Sequence, residues 1–460
     1  MPLRNLIANP SRVVLAVTLA LAVVHFSGVL ARGVRPRVIR GDALHYYVQL
    51  RSAVVDRDLD FENDYIGLFK LDFTVAAPPP GFTFNYEHTP NGHVRNFMPV
   101  GPALLWAPLF LAVGAVAWLL SAAGLAAPPD GFGLAFQLVP DVCGIAAAGL
   151  AVYFAFLLGR RLFCPRAALW SALAALLGTP LIYYATVSPS YSHTLSAMSA
   201  SAFFLYWWHT RDRADLRRYA ILGALAGLVA LVRWQDGMVI TTILVDVVVQ
   251  ARRQGRSAAG WVTFGVPRLA AAGLAALAAF SPQMIVWQVL YGQPLTIPQG
   301  GDFMRWTQSQ MGAVLVSPYR GLFSWTPLTA LAVAGLIGLR GPHRRLAWTL
   351  GLFFLVSTYI NGAVADWWAG EAFGARRYMS CFPLFAVGAG YLLTRAGLAG
   401  AVARWTTAAL VVANLFLLAH YEVFMIGLTR FAPYPGNSWY TLWVERFLVP
   451  VRLLRSALGW

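Results

Sequence analysis

A chain of 460 residues that is 58% hydrophobic and only 12% charged lies outside the range of soluble globular domains and matches proteins with many membrane spans. Its formal net charge of +16 would suit a nucleic-acid binder, but a basic membrane protein gains such an excess from the arginine and lysine kept on the inward side of its spans. Where the charge falls along the chain decides between the two.

The first apolar run, Val13 to Leu30, has a basic flank and about the 20 residues a helix needs to cross the hydrocarbon. It is long and lacks a small-residue cleavage site, so it is expected to be a retained signal anchor, spanning 13–31 outward from a basic N-terminus. Further runs follow at Leu134 to Leu158, Ala167 to Ala185 and Trp405 to Met425. Short basic loops at Gly159 to Arg166, Arg211 to Arg218, Ala251 to Arg256 and Leu339 to Arg345 should face the cytoplasm, and each neighbouring pair encloses enough apolar sequence for two crossings. Counting back from Gly159 leaves 32–133 outside. Within that segment "VGPALLWAPLFLAVGAVAWLL" would break the alternation if it crossed, so 100–126 is expected to lie on, or dip into, the outer leaflet. A true crossing, with another loop on the opposite side, is the alternative.

The resulting expectation is an all-α polytopic membrane protein: one domain over 1–460, with about eleven spans and a long first extracytoplasmic loop carrying interfacial helices. The remaining spans fall in 134–425, and 426–460 forms an outer tail. Eighteen arginines then face inward against Asp212, Asp215 and Asp246, while the outer segments are nearly neutral, which removes the case for nucleic acid. All basic residues except Lys70 are arginine, so arginine alone does not signal phosphate recognition. Cys143, Cys164 and Cys381 fit neither a disulfide framework nor a zinc site.

The outer segments carry the chemistry. After Gly41, helical spacing puts Asp42, His45, Tyr46 and Gln49 on one face and Leu44, Val48 and Leu50 toward the membrane. A lone Asp at a helix start is ordinarily a cap. Here it has company: Asp56, Asp58, Asp60, Glu62 and Asp64 follow, and "YEHTPNGHVRNFMP" adds His88, His93, Arg95 and Asn96. The acidic run could hold a divalent cation through oxygen ligands, with Asp58, Asp60 and Asp64 as the donors or as a second acid, although it lacks EF-hand spacing and also suits a solvated loop. A carboxylate that takes a proton from a hydroxyl needs a partly desolvated site, and a leaving phosphate needs cations. The membrane surface offers the first and arginines offer the second.

Other outer loops carry similar residues. "SPSYSHTLS" sets His193 at a span end, where a satisfied interfacial histidine is the plainer explanation. "VRWQDG" sets Arg233, Gln235 and Asp236 at a hairpin tip, and Arg233 could simply snorkel. "SPYRGLFSWTP" supplies Arg320 among turn formers. "DWWAGEAFGARRY" gathers Glu371, Arg376 and Arg377 at a boundary where an aromatic belt already explains Trp367 and Trp368.

In this order along the chain, the motifs resemble the GT-C superfamily of integral membrane glycosyltransferases, in particular the protein O-mannosyltransferase and aminoarabinose-transferase branch. The shared features are a first span, a long outer loop opening with an acid at a short helix, a proline-containing turn before an interfacial helix ("HVRNFMPVGPALLW"), and the "GRRLF" inner loop. The resemblance implies that Asp42 is the catalytic acid of the first loop. The adjacent Asp-Glu pair common in the family is replaced here by "GDALHYY", leaving His45 or the acids from Asp58 to Asp64 as substitutes. It also implies that Arg95 is the first candidate for the donor phosphate, with Arg376 and Arg377 binding the same phosphate or an anionic acceptor.

The expected activity is inverting glycosyl transfer from a polyprenyl-monophosphate sugar to a hydroxyl or amine of a lipid, glycan or protein acceptor, on the outer face of a bacterial cytoplasmic membrane. Asp42 is the expected base. His45, Tyr46, Arg95, His193, Arg233, Arg320, Glu371, Arg376 and Arg377 are the expected binding residues, among membrane lipids. The alternatives are a flippase for a lipid-linked sugar, which should concentrate ionisable groups at the midplane, and a non-catalytic subunit of a cell-envelope assembly.

Overall fold

The computed structural model describes residues 9–31, 33, 38–69, 87–370, 372–425 and 438–458. Among these residues the backbone is almost wholly helical, and the β-type pairings are two isolated bridges, His88 with Val94 and Met304 with Val364.

Helix α1 (Pro10–Ala31) is the first span, and it opens on a proline, whose missing N–H costs nothing at a helix start. The segment that follows contains α2 (Asp42–Arg51), α3 (Glu62–Phe69) and α4 (Gly101–Ala122). The bundle continues as α5 (Val139–Gly159), α6 (Pro165–Gly178), α7 (Leu181–Thr186), α8 (His193–His209), α9 (Leu216–Val232), α10 (Ile240–Arg253) and α11 (Ala258–Tyr291). It ends with α12 (Leu328–Ile337), α13 (Arg344–Ala363), α14 (Phe382–Leu393), α15 (Gly397–His420) and α16 (Arg446–Ala457). Proline after Thr179 breaks α6 from α7, so the pair forms one interrupted rod.

Two buried clusters mark opposite ends of the bundle. At one, His25 of α1 lies 3.2 Å from Asp141 at the start of α5 and 2.9 Å from the carbonyl of Thr186 at the end of α7. At the other, Asp246 of α10 accepts from Trp207 Nε1 (2.7 Å), Arg218 Nη1 (2.6 Å), Tyr219 Oη (2.8 Å) and Arg345, tying α8, α9, α10 and α13 together. With the ends fixed in this way, α1, α5, α6/α7, α8, α9, α10, α11, α12, α13, α14 and α15 run alternately between them. That is eleven traverses among the described residues. Five of these are long and apolar enough to cross a membrane by themselves, and α4 is a sixth such helix.

Close packing follows from small residues. A Cβ at Gly223 of α9 would sit 2.0 Å from the Ala272 carbonyl oxygen of α11, and one at Gly227 would sit 2.4 Å from that of Ala276, so glycines four apart let the two backbones touch. The same device seats α4, whose Gly101 lies against the Leu231 carbonyl at the Asp141 end of the bundle. Farther along α4, Phe110 packs on Phe136, just before α5, at a centroid distance of 5.0 Å. The contacts of α4 therefore stay near the same end as α2.

Candidate active site

Asp42 is the first residue of α2 rather than its cap. Gly41 holds the cap position at φ 54°, and no side chain caps the helix. That backbone angle favours glycine, and space demands it too: a Cβ at position 41 would lie 1.9 Å from the Tyr191 hydroxyl oxygen. With no capping bond to make, the Asp42 carboxylate turns outward and accepts from Arg376 Nη1 at 2.5 Å. The pair is only partly sheltered, with side-chain exposures of 25% for Asp42 and 13% for Arg376. Burial works against charge on Arg376, but Asp42, with Tyr184, Tyr191 and Tyr46, outweighs it and holds the guanidinium above its ordinary value.

Arg376 opens a short 3-10 turn, Arg376–Cys381, that precedes α14. The preceding turn is tightly wound, with Ala369 at φ 63° beside Gly370 and Gly374 in the same left-handed region. A non-glycine residue there costs roughly 1–2 kcal/mol, which the surrounding packing must hold in place. Arg377, next in line, donates to the Asp366 carbonyl and carboxylate, both at 2.7 Å. Burial, with Arg376 and Arg233 nearby, pulls its guanidinium below the usual value against the support of Asp366.

Beneath this pair, Arg233 donates to His193 Nδ1 at 2.8 Å and lies 3.5 Å from Asp236. A guanidinium carries only donors, so His193 Nδ1 must be the lone-pair nitrogen and Nε2 carries the hydrogen. That Nε2 is buried without a protein partner. Asp236 also accepts from Ser196 (2.6 Å) and Ser380 (2.8 Å); burial pushes its pKa up, against Arg233 and the two hydroxyls. Tyr46 reaches Ser192 Oγ at 3.0 Å, its phenol pushed up to about 12 by burial and then by Asp42, with Arg233 and Arg376 acting the other way.

Arg320 stands apart from the other arginines. It is 3% exposed, sits in the left-handed region at φ 68°, and has no carboxylate or hydrogen-bond partner among the described residues; its Nε is buried and unpaired. Its guanidinium lies 5.1 Å from the Tyr319 ring, which contacts Trp367 and Trp368 on the turn leading to Arg376. Among the described residues the site thus holds four arginines, at 233, 320, 376 and 377, against three carboxylates, at 42, 236 and 366. The excess is one positive charge.

Several expected residues lie elsewhere. Arg95 is committed to Glu87 and to the Pro298 carbonyl (2.8 and 3.2 Å), and neither partner belongs to the arginine cluster. His45 points from α2 to the Tyr65 hydroxyl at 2.7 Å, and burial lowers its pKa to about 4 in spite of Asp42, so it packs α2 onto α3 as a neutral ring. The acidic run supports the loop. Asp56 (2.5 Å) and Asp64 (2.9 Å) clamp Arg51, whose guanidinium lies 3.8 Å over Phe132, while Asp58 accepts from Ser52 (2.6 Å) and from the Asp60 amide (3.2 Å). No group of three or more His, Cys, Asp or Glu is placed to hold a metal ion among the described residues. Glu371 lies outside the described residues. Asp236, named with Arg233 in "VRWQDG", joins the site, as do Tyr191, Tyr184 and Asp366, which the sequence did not single out; Tyr191 and Asp366 stand in the "SPSYSH" and "DWWAGEAFGARRY" stretches.

The fold as a whole is similar to that of a solved structure. ArnT from Cupriavidus metallidurans bound to undecaprenyl phosphate superposes with a TM-score of 0.52 and 15% identity, over 97% of this chain and 70% of that one. The chain has the GT-C fold. The GT-C fold accounts for a multi-pass, all-helical membrane protein with a long segment between its first two traverses. The apo state of ArnT from the same organism aligns at a TM-score of 0.46 and 14% identity, over 96% of this chain and 76% of that one. The sequence matches no protein-family model and no curated protein.

Proposed function

We propose that this GT-C protein is an inverting glycosyltransferase that moves a sugar from a polyprenyl-monophosphate donor to an acceptor hydroxyl or amine at the outer face of the bacterial cytoplasmic membrane. One observation carries this reading: the Asp42 carboxylate, at the mouth of an arginine-rich cluster, is bonded at 2.5 Å to the arginine best placed to take a phosphate instead. The likeness to a structure holding undecaprenyl phosphate supports the donor class.

In the resting site Arg376 occupies an Asp42 oxygen. A donor phosphodiester, whose single negative charge is shared by two non-bridging oxygens, competes for that guanidinium through charge-assisted bonds and leaves the Asp42 lone pair available to an acceptor. The acceptor oxygen or nitrogen then forms its bond to the anomeric carbon as the bond from that carbon to the phosphate oxygen breaks. The electron pair leaves with the lipid phosphate, the proton goes to Asp42, and the single displacement inverts the anomeric centre. Arg320 and Arg376, with Arg233 and Arg377 behind them, stabilise the departing charge, which is the work a divalent cation would otherwise share. His193 Nε2–H and the Tyr46 and Tyr191 hydroxyls are donors for the sugar. Holding donor and acceptor together supplies orientation that free encounter lacks.

The test incubates purified protein in membrane vesicles with labelled polyprenyl-phosphate sugar and an envelope extract. Label transferred to a new product, and lost in Asp42→Asn, supports the enzyme. Label that changes leaflet without changing molecule establishes a flippase and overturns the proposal.

A further inference from the structure

A second cavity lies at the opposite end of the bundle from Asp42. It has a volume of about 800 Å³, within the roughly 300–1,000 Å³ usual for small-molecule sites, and it opens between α5, α8 and α9. Its walls are Phe154 and Leu157 of α5, Ala202, Leu205 and Tyr206 of α8, and Ile221 and Leu225 of α9, all half-buried. Arg160 and Arg161, at the end of α5, and His209, at the end of α8, stand exposed at its rim.

The charge at this rim has no acidic counterpart among the described residues. The three acids at this end are already engaged: Asp212 by Arg211 and Arg253, Asp215 by Arg213, and Asp246 by Arg218 and Arg345. Arg160 and Arg161 form no ion pair among the described residues; Arg160 only lies 5.7 Å from the Phe156 ring on its own helix. An apolar shaft open to the side, crowned by two unmatched guanidiniums where the bundle meets the inner boundary, has the two-part chemistry of a lipid with an acyl chain and a negative headgroup.

We propose that this groove is a binding site for an anionic glycerophospholipid of the inner leaflet, with one acyl chain between α5, α8 and α9 and the phosphate on Arg160 and Arg161. The neutral far end of a polyprenyl chain would fill the shaft but leave the rim unmatched, so charge complementarity favours the phospholipid. This site is independent of the chemistry at Asp42.

Native mass spectrometry of the full protein in mild detergent, titrated with phosphatidylglycerol and with phosphatidylcholine, tests it. The expected result is on the order of tenfold stronger retention of phosphatidylglycerol. That preference should be lost in Arg160→Gln/Arg161→Gln, and retention should fall in Ala202→Trp, which fills the shaft while leaving the charges in place. Equal retention of the two lipids by the wild type overturns the proposal. So does a preference that survives the arginine substitutions, or one that Ala202→Trp leaves unchanged, the latter meaning that surface charge alone attracts the lipid.

Discussion

Asp42 and Arg376, separated by 334 positions in the chain, meet through a 2.5 Å bond between Oδ2 and Nη1. The carboxylate favours the charged form of the partly buried guanidinium, and in the proposed reaction the guanidinium occupies the oxygen that would take a proton. Replacing Asp42 with Asn should lower transfer by about two to four orders of magnitude, the usual cost of losing a general base, with membrane insertion unchanged. Arg376→Gln should act chiefly on the donor, raising its KM. Steady-state kinetics on the two variants and their double variant checks this, and effects that simply multiply would show that the pair does not act as a unit.

Arg320 is a buried cation with no carboxylate or hydrogen-bond partner among the described residues. A group in that condition is retained at a cost to stability, so Arg320→Gln should raise the thermal midpoint, by about 1–2 kcal/mol of stability, while weakening donor binding about tenfold. Thermal unfolding and donor KM measured on one preparation check the two halves together. A loss of stability with unchanged KM would assign Arg320 a purely structural part.

His45 makes the outer helix sensitive to acid. Its folded pKa, about 4, lies below the ordinary 6.5 because the ring is buried. The neutral ring's contribution is therefore complete above about pH 6.5 and is lost as pH falls from there through 4, since the unfolded chain binds the proton first. The size is roughly 3 kcal/mol across that window. Apparent midpoints recorded between pH 7.5 and 4.5 should decline, and His45→Gln should flatten that part of the decline.

Gly41 allows the Tyr191 hydroxyl to sit over the start of α2. Gly41→Ala meets both a φ of 54° and a 1.9 Å collision, so it should displace Asp42 and reduce kcat by about tenfold or more, since reacting groups lose rate steeply with misplacement. Gly41→Ala combined with Tyr191→Phe, which removes the colliding oxygen, should recover part of that rate. Activity assays on both variants distinguish displacement from general unfolding.

At the other end, Asp246→Asn leaves Arg218, which is fully buried, without its counter-charge. Breaking such a pair costs about 3–5 kcal/mol, so the variant should accumulate poorly and melt early. The fraction that does fold should transfer sugar normally, because Asp246 and Asp42 lie at opposite ends. Activity per folded molecule, counted by size-exclusion chromatography, is the measurement.

Several features were legible from local sequence. Apolar length and the placement of arginine gave eleven alternating traverses, because the hydrocarbon enforces length and the inner boundary retains positive charge residue by residue. His193 at a span start and Arg376 and Arg377 on one turn were visible for the same reason. Arg95 and the run from Asp56 to Asp64 are engaged within the loop and its neighbours. Their residue types suit chemistry, but Glu87, Pro298, Arg51 and Ser52 satisfy them locally, and nothing in spacing reveals that a charge is already paired.

The sequence by itself determined the solvent, the alternation and the list of ionisable side chains between the spans, since burial in lipid is decided by composition over each stretch of twenty or so residues. Only the tertiary structure decided which of those side chains act together. Asp42 found Arg376, His193 found Arg233, and Arg320 has no carboxylate among the described residues, because electrostatic pairing depends on distance in space, and helix packing brings together loops far apart in the chain.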